Sequence, residues 1–127
     1  MAKKKIKTSI HSYGIYGAWV DRKGQIPKVI QHTKNIPAKL DTEFGYVLKI
    51  IGGRGQRIDF LIEHPPFKNQ KGDVTPPFKG EEYIKGNEFL FFLGDSIWEP
   101  VEDKKGCWRL VAKINGQIIA DMSFTVF

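Results

Sequence analysis

Three histidines, one cysteine and a few clustered carboxylates are the side chains in this chain that could carry chemistry. His11, His32 and His64 lie far apart, and none has a second ligand at the short spacing a zinc site uses. His11 and His32 fall in stretches that alternate like strands and read as surface residues. His64 precedes Pro65 and reads as a residue that steadies a loop. Cys107 neighbours Trp108, so it points to the opposite face of its strand, and a thiol with no activating histidine near it in sequence is inert. Glu81-Glu82 and Glu99, Glu102 and Asp103 are the carboxylate clusters. Glycoside hydrolysis needs two carboxyls about 5–10 Å apart across a cleft, whereas acids crowded into charged turns are mostly solvated. Ser9, Ser12, Ser96 and Ser123 show no nucleophile elbow. Gly52-Gly53-Arg54-Gly55 could suggest a phosphate cradle, but such cradles open helices and a strand follows here. These residues predict no enzyme, no metal and no cofactor.

What remains is aromatic. Tyr13, Tyr16, Trp19 and Trp98 could form a platform for a carbohydrate or another small ligand. Phe67 and Phe78 sit in an internal echo, Pro65-Pro66-Phe67-Lys68 and Pro76-Pro77-Phe78-Lys79. Paired prolines favour polyproline II and forbid a central strand. The segment is then either an exposed loop that a partner grips or a crossover whose phenylalanines cap the core end. Crossovers of this kind are ordinary in sandwiches, and the copies are too closely spaced for a repeat architecture.

The elements that must position these residues are strands. From Gly106 to Phe127 two alternating runs meet at Asn115-Gly116, the strongest local hairpin signal. Trp108, Leu110, Ala112 and Ile114 share one face, opposed by Arg109 and Lys113. Ile118, Ala120, Met122, Phe124 and Val126 share the other inward face, opposed by Asp121, Ser123 and Thr125. A two-residue turn held in perfect register would set Asp121 opposite Leu110, on the core face. A three-residue loop with Gly116 in a bulge removes that conflict and predicts Ala112 opposite Ile118, Leu110 opposite Ala120 and Trp108 opposite Met122.

Upstream, Ser9 to Val20 reads as a long strand with Tyr13, Ile15 and Trp19 on one side and Tyr16 and Val20 on the other. Gly14 and Gly17 mark a bend or a close backbone approach, and Asp21 to Gly24 a turn. Lys28 to Lys34 is a weaker strand, and Pro37 marks an edge or a crossing between sheets. Phe44, Tyr46, Leu48 and Ile50 alternate inward, answered by Ile58, Phe60 and Ile62. Glu88 to Leu93 is apolar on both faces and reads as a central strand buried on both sides or packed near a sheet end. Glu102 to Gly106 is a charged turn. About seven strands with long connections predict one antiparallel, immunoglobulin-like β-sandwich, and a single cysteine excludes an internal disulfide.

Charge narrows the partners. Of the net +6, Lys3, Lys4, Lys5 and Lys7 supply four units, leaving +2 for residues 8–127. From Glu81 to Asp103 seven acids face Lys85 alone. Residues 1–7 therefore read as a disordered lysine-rich tail, residues 8–127 as one domain, and nucleic acid as a poor partner. The start has no apolar run like that of a secretion signal, and no stretch approaches the ~20 apolar residues of a membrane span. A cytoplasmic protein is expected, or a periplasmic or secreted one if a leader has been removed.

Tyr13-Gly14-Ile15-Tyr16, Ile36-Pro37-Ala38, Phe44-Gly45-Tyr46, His64-Pro65-Pro66, Trp98-Glu99 and the ending Gly106-x-Trp108 … Gly116 … Phe124-x-Val126 carry a resemblance. Over nearly the whole chain after the tail, it resembles an uncharacterised bacterial domain-of-unknown-function family of single-domain sandwiches. The resemblance implies the fold, supplies no catalytic residue, and implies export for many members. The expected function is a non-catalytic protein-interaction module, monomeric or weakly dimeric, using a sheet edge or the Pro65–Gly86 loop. The alternative is a small-ligand or carbohydrate binder.

Overall fold

The computed structural model describes residues 5–17 and 27–127 and contains nine strands. In chain order they are β1 (Lys7–Tyr16), β2 (Val29–Gln31), β3 (Asn35–Ile36), β4 (Glu43–Ile51), β5 (Arg57–Glu63), β6 (Phe78–Tyr83), β7 (Glu88–Ser96), β8 (Gly106–Ile114) and β9 (Gln117–Val126). A 3-10 turn, Val101–Lys104, precedes β8. One sheet is ordered β2-β1-β4-β7 and the other β3-β9-β8-β5-β6. Among the described residues no helix is long and apolar enough to cross a membrane.

The sandwich closes because each long strand has one apolar face. Phe44, Tyr46, Leu48 and Ile50 are fully buried on β4, and they meet Ile58, Trp108, Leu110, Ala112 and Phe124 from the other sheet. The Phe44 ring stands edge-on to Trp108 at 5.4 Å and to Phe124 at 5.6 Å. The Tyr46 hydroxyl crosses the gap to donate to the Leu110 carbonyl at 3.1 Å, and burial pushes its pKa up. With no disulfide, packing of this kind is what joins the sheets.

Several expectations shift. Of the strand expected over Lys28 to Lys34 only Val29–Gln31 forms, as β2; β3 lies beyond it at Asn35–Ile36 in the other sheet, and Pro37 follows the crossing. β3 pairs with β9 in parallel, so the five-stranded sheet is not purely antiparallel. β1 starts at Lys7, which pairs with Ile51 although composition placed it in the tail, and Ile6 packs against the core. The expected turn at Asp21 to Gly24 lies outside the described residues.

The hairpin register also differs. Ile114 pairs directly with Gln117 across a two-residue turn in which Asn115 (φ 52°) and Gly116 (φ 78°) are both left-handed. The turn residues suit that geometry so well that the required irregularity moves along the strand. A bulge lies between Ala112 and Lys113, whose partners are Ala120 and Ile118, leaving Ile119 as the extra residue. Leu110 then faces Met122, and Trp108 faces Phe124. Parity is restored as the core requires, with partners two residues from those expected. The bulge turns Ile118 outward, 55% exposed, and lets Ile119 pack on the core instead.

Candidate interaction surface

The Pro-Pro-Phe-Lys echo folds back upon itself at one end of the sandwich. Lys68 and Val74 form an isolated bridge, and the Asn69 carboxamide oxygen accepts from the amides of Lys71 (2.9 Å) and Asp73 (3.1 Å). This tight turn brings both phenylalanines onto His64, whose ring lies 4.2 Å from Phe67 and 4.7 Å from Phe78. Its nitrogens face the Pro65 carbonyl at 2.8 Å and the Pro76 carbonyl at 2.9 Å. Set between these two carbonyls and packed on both phenylalanines, His64 ties the two copies together.

Behind Phe67 lie Trp98, edge-on at 5.3 Å, and the Lys104 ammonium, 4.7 Å from the Phe67 ring centre and 4.5 Å from that of Trp98. Lys104 is 1% exposed, yet satisfied: it donates to the Pro100 carbonyl at 3.0 Å and to the Asp103 carboxylate. Ring faces attract a cation, which is how a lysine from a charged turn comes to be buried. Trp108 completes the plug, its indole N–H donating to the Lys104 carbonyl at 2.8 Å. No sequence signal separated Lys104 from its solvated neighbours.

These positions revise the candidate binding residues. Phe67 is buried, 5% exposed, and Phe78 is half-buried against His64, so neither is an exposed loop residue for a partner to grip. Trp98 belongs to the same plug. Tyr13 lies on the core side of β1, edge-on to His32 at 5.7 Å. Tyr16, an odd number of residues along, turns to the opposite face, where it is buried against Phe92 at 5.1 Å and bonded through its hydroxyl to Ser12. Trp19 lies outside the described residues. Tyr13, Tyr16 and Trp98 therefore share no platform.

Asp95 sits at the same end, opposite Phe44. Burial raises its pKa, and the Ser96 amide (2.8 Å) and nearby His64 offset only part of that. A carboxyl whose pKa is raised on folding contributes stability at low pH that is lost as pH rises through the folded value. Asp95→Asn is accordingly expected to be more stable than the parent at pH 7, with the gap closing at pH 3. Urea midpoints at the two pH values check this.

The sheet edges are unequal. β7 is an edge strand of its sheet rather than a central one, and its outer side pairs with no strand among the described residues. Its apolar run has burial on both faces because Phe89, Phe91 and Leu93 pack inward while Leu90 and Phe92 are half-covered outside. The other edges are short or charged: β2 has three residues, β3 two, and β6 carries Lys79, Glu81 and Glu82. Lysines, inward-pointing charges and short strands are the usual protections of an edge. β7 spans nine residues with acids only near its ends, Glu88 and Asp95.

A family profile described as a domain of unknown function (DUF3859) matches residues 4–126. Among solved structures, an immunoglobulin-like protein from Pseudomonas aeruginosa superposes with a TM-score of 0.77 at 23% identity, over 100% of both chains. That likeness concerns the fold. A comparison with curated proteins returns no match.

Proposed function

The chain belongs to the DUF3859 family, and we propose that it is a non-catalytic protein-interaction module that receives an extended segment of a partner along the outer edge of β7. The observation that carries this reading is the contrast between edges. On the same side of the sandwich, β6 is protected by charge and β7 is not. Nine residues at ~3.3 Å each offer roughly 30 Å of edge, with alternate backbone N–H and C=O groups directed outward. A segment added there gains main-chain hydrogen bonds and extends the sheet, while its alternate side chains meet the Phe89, Phe91 and Leu93 side of the core.

The test places benzoylphenylalanine at Leu90 on β7 or at Lys79 on β6 and irradiates living cells. Discrete adducts are expected from position 90 and none from position 79. Leu90→Lys in a tagged copy should lose the same partner. Because it sets a second lysine opposite Lys49, its stability should fall by no more than about 1 kcal/mol. Equal crosslinking from both positions, or partner binding retained by Leu90→Lys, would exclude the edge.

A further inference from the structure

A strand added to β7 directs half of its side chains toward the facing sheet, whose edge strand on that side is β6. There β6 turns Glu82 to the inward face. Glu82 is the register partner of Ile58, which is fully buried, and directly opposed residues share a face. The next inward residue of β6, Gly80, is covered by the Phe60 ring, since a Cβ built there would meet Phe60 at 2.3 Å. Phe60 in turn packs on Phe91 of β7 at 5.9 Å. β5 and β7 start at the same end and run the same way, since Ile51, the last residue of β4, pairs with Glu88 at the start of β7 and the chain turns there into β5. Two residues back along each strand, Phe89 is therefore level with Ile58 and Glu82.

Glu82 is exposed and makes no ion pair among the described residues, whereas Glu81 on the other face is held by Arg57 at 3.5 Å. We infer that the segment received by β7 carries a basic side chain, lysine or arginine, on its inward face opposite Phe89, where it pairs with Glu82. The inference rests on the strand-addition reading and gives it a register. A slip of one residue throws the cation to the outer face, and a slip of two carries it past Glu82. A second copy pairing β7 to β7 does not meet the requirement, because that strand holds Glu88 and Asp95 and no lysine or arginine. The partner is a different protein, with an apolar alternating strand marked by one inward cation.

The probes are eleven-residue synthetic peptides alternating threonine and valine, with arginine, citrulline or glutamate replacing a central valine. Hydrogen exchange at the β7 amides reports addition, and titration gives the affinity. The arginine peptide is expected to protect β7 and to bind about three- to fivefold tighter than the citrulline peptide, the scale of an exposed ion pair. Glu82→Arg should reverse the order and favour the glutamate peptide. Equal protection by the arginine and citrulline peptides overturns the cation and leaves strand addition standing. No protection of β7 by any peptide removes both. Protection of β7 without peptide, in a sample that sediments as a dimer, assigns the edge to a second copy and overturns the inference.

Discussion

Gly45→Ala is expected to abolish cooperative folding. Three glycines lie side by side across the four-stranded sheet, Gly14 paired with Gly45 and Gly45 with Gly94. A Cβ on Gly45 would meet the Leu93 carbonyl oxygen at 2.2 Å and the Gly94 Cα at 2.6 Å, and its φ of 151° disfavours any side chain. Neighbouring positions are no looser: a Cβ on Gly94 would lie 2.2 Å from the Phe44 oxygen, and one on Gly14 2.0 Å from the Gln31 oxygen. The obstacles are backbone atoms inside hydrogen-bonded ladders, so no rotamer change relieves them. Backbone strain of about 1–3 kcal/mol adds to overpacking of about 1–3 kcal/mol, before any loss of the β1–β4 and β4–β7 ladders. Domains of this size have about 5–15 kcal/mol in hand. The measurement is urea unfolding followed by tryptophan fluorescence, with Gly86→Ala as the tolerated control, because the nearest atom to its added Cβ is 3.7 Å away. A cooperative transition at the parent midpoint in Gly45→Ala would show that the strands can separate there at no cost.

The same glycine row shows where sequence reading stops. Gly14 alone was legible as a close approach; Gly45 and Gly94 gain their meaning only when three strands are aligned, and no local pattern gives that alignment. The faces of β4 and β8 were legible because alternation with period two leaves one solution for Phe44 to Ile50 and for Trp108 to Ile114. The need for one extra residue in the final hairpin was legible from Asp121, but its site was not. Asn115-Gly116 fixed the turn locally, and the bulge settled at Ile119. The nature of β7 was hidden because an apolar run on both faces describes a central strand and an unprotected edge equally well. That Phe67 and Phe78 cap the core end was one of two readings their prolines allowed, and the contact that decides for it, through His64, joins residues twelve apart in sequence. Glu82 looked like one more acid until its pairing with Ile58 set its direction.

Trp108→Ala is expected to cost about 3–5 kcal/mol, the usual range for deleting a buried large aromatic. Trp108 is fully buried and touches both halves of the molecule, with Phe44 of the facing sheet at 5.4 Å and His64, Phe67 and Trp98 of the end plug at 5.7, 6.1 and 6.2 Å. Its indole N–H satisfies the Lys104 carbonyl, in the short turn that also holds the buried ammonium against Phe67 and Trp98. Trp108→Phe separates the two contributions. It keeps an aromatic ring but leaves that carbonyl without its donor, a loss of about 1–3 kcal/mol, so it should unfold between the parent and Trp108→Ala. If strand addition at β7 is the mode of binding, as proposed, the plug serves the fold and the edge serves the partner, and the effects should divide. Trp108→Phe should lower the urea midpoint and keep partner binding, and Leu90→Lys should lower it by no more than the equivalent of about 1 kcal/mol and lose binding. A Trp108→Phe protein that stays as stable as the parent yet fails to bind would move the docking surface from the edge to the plug.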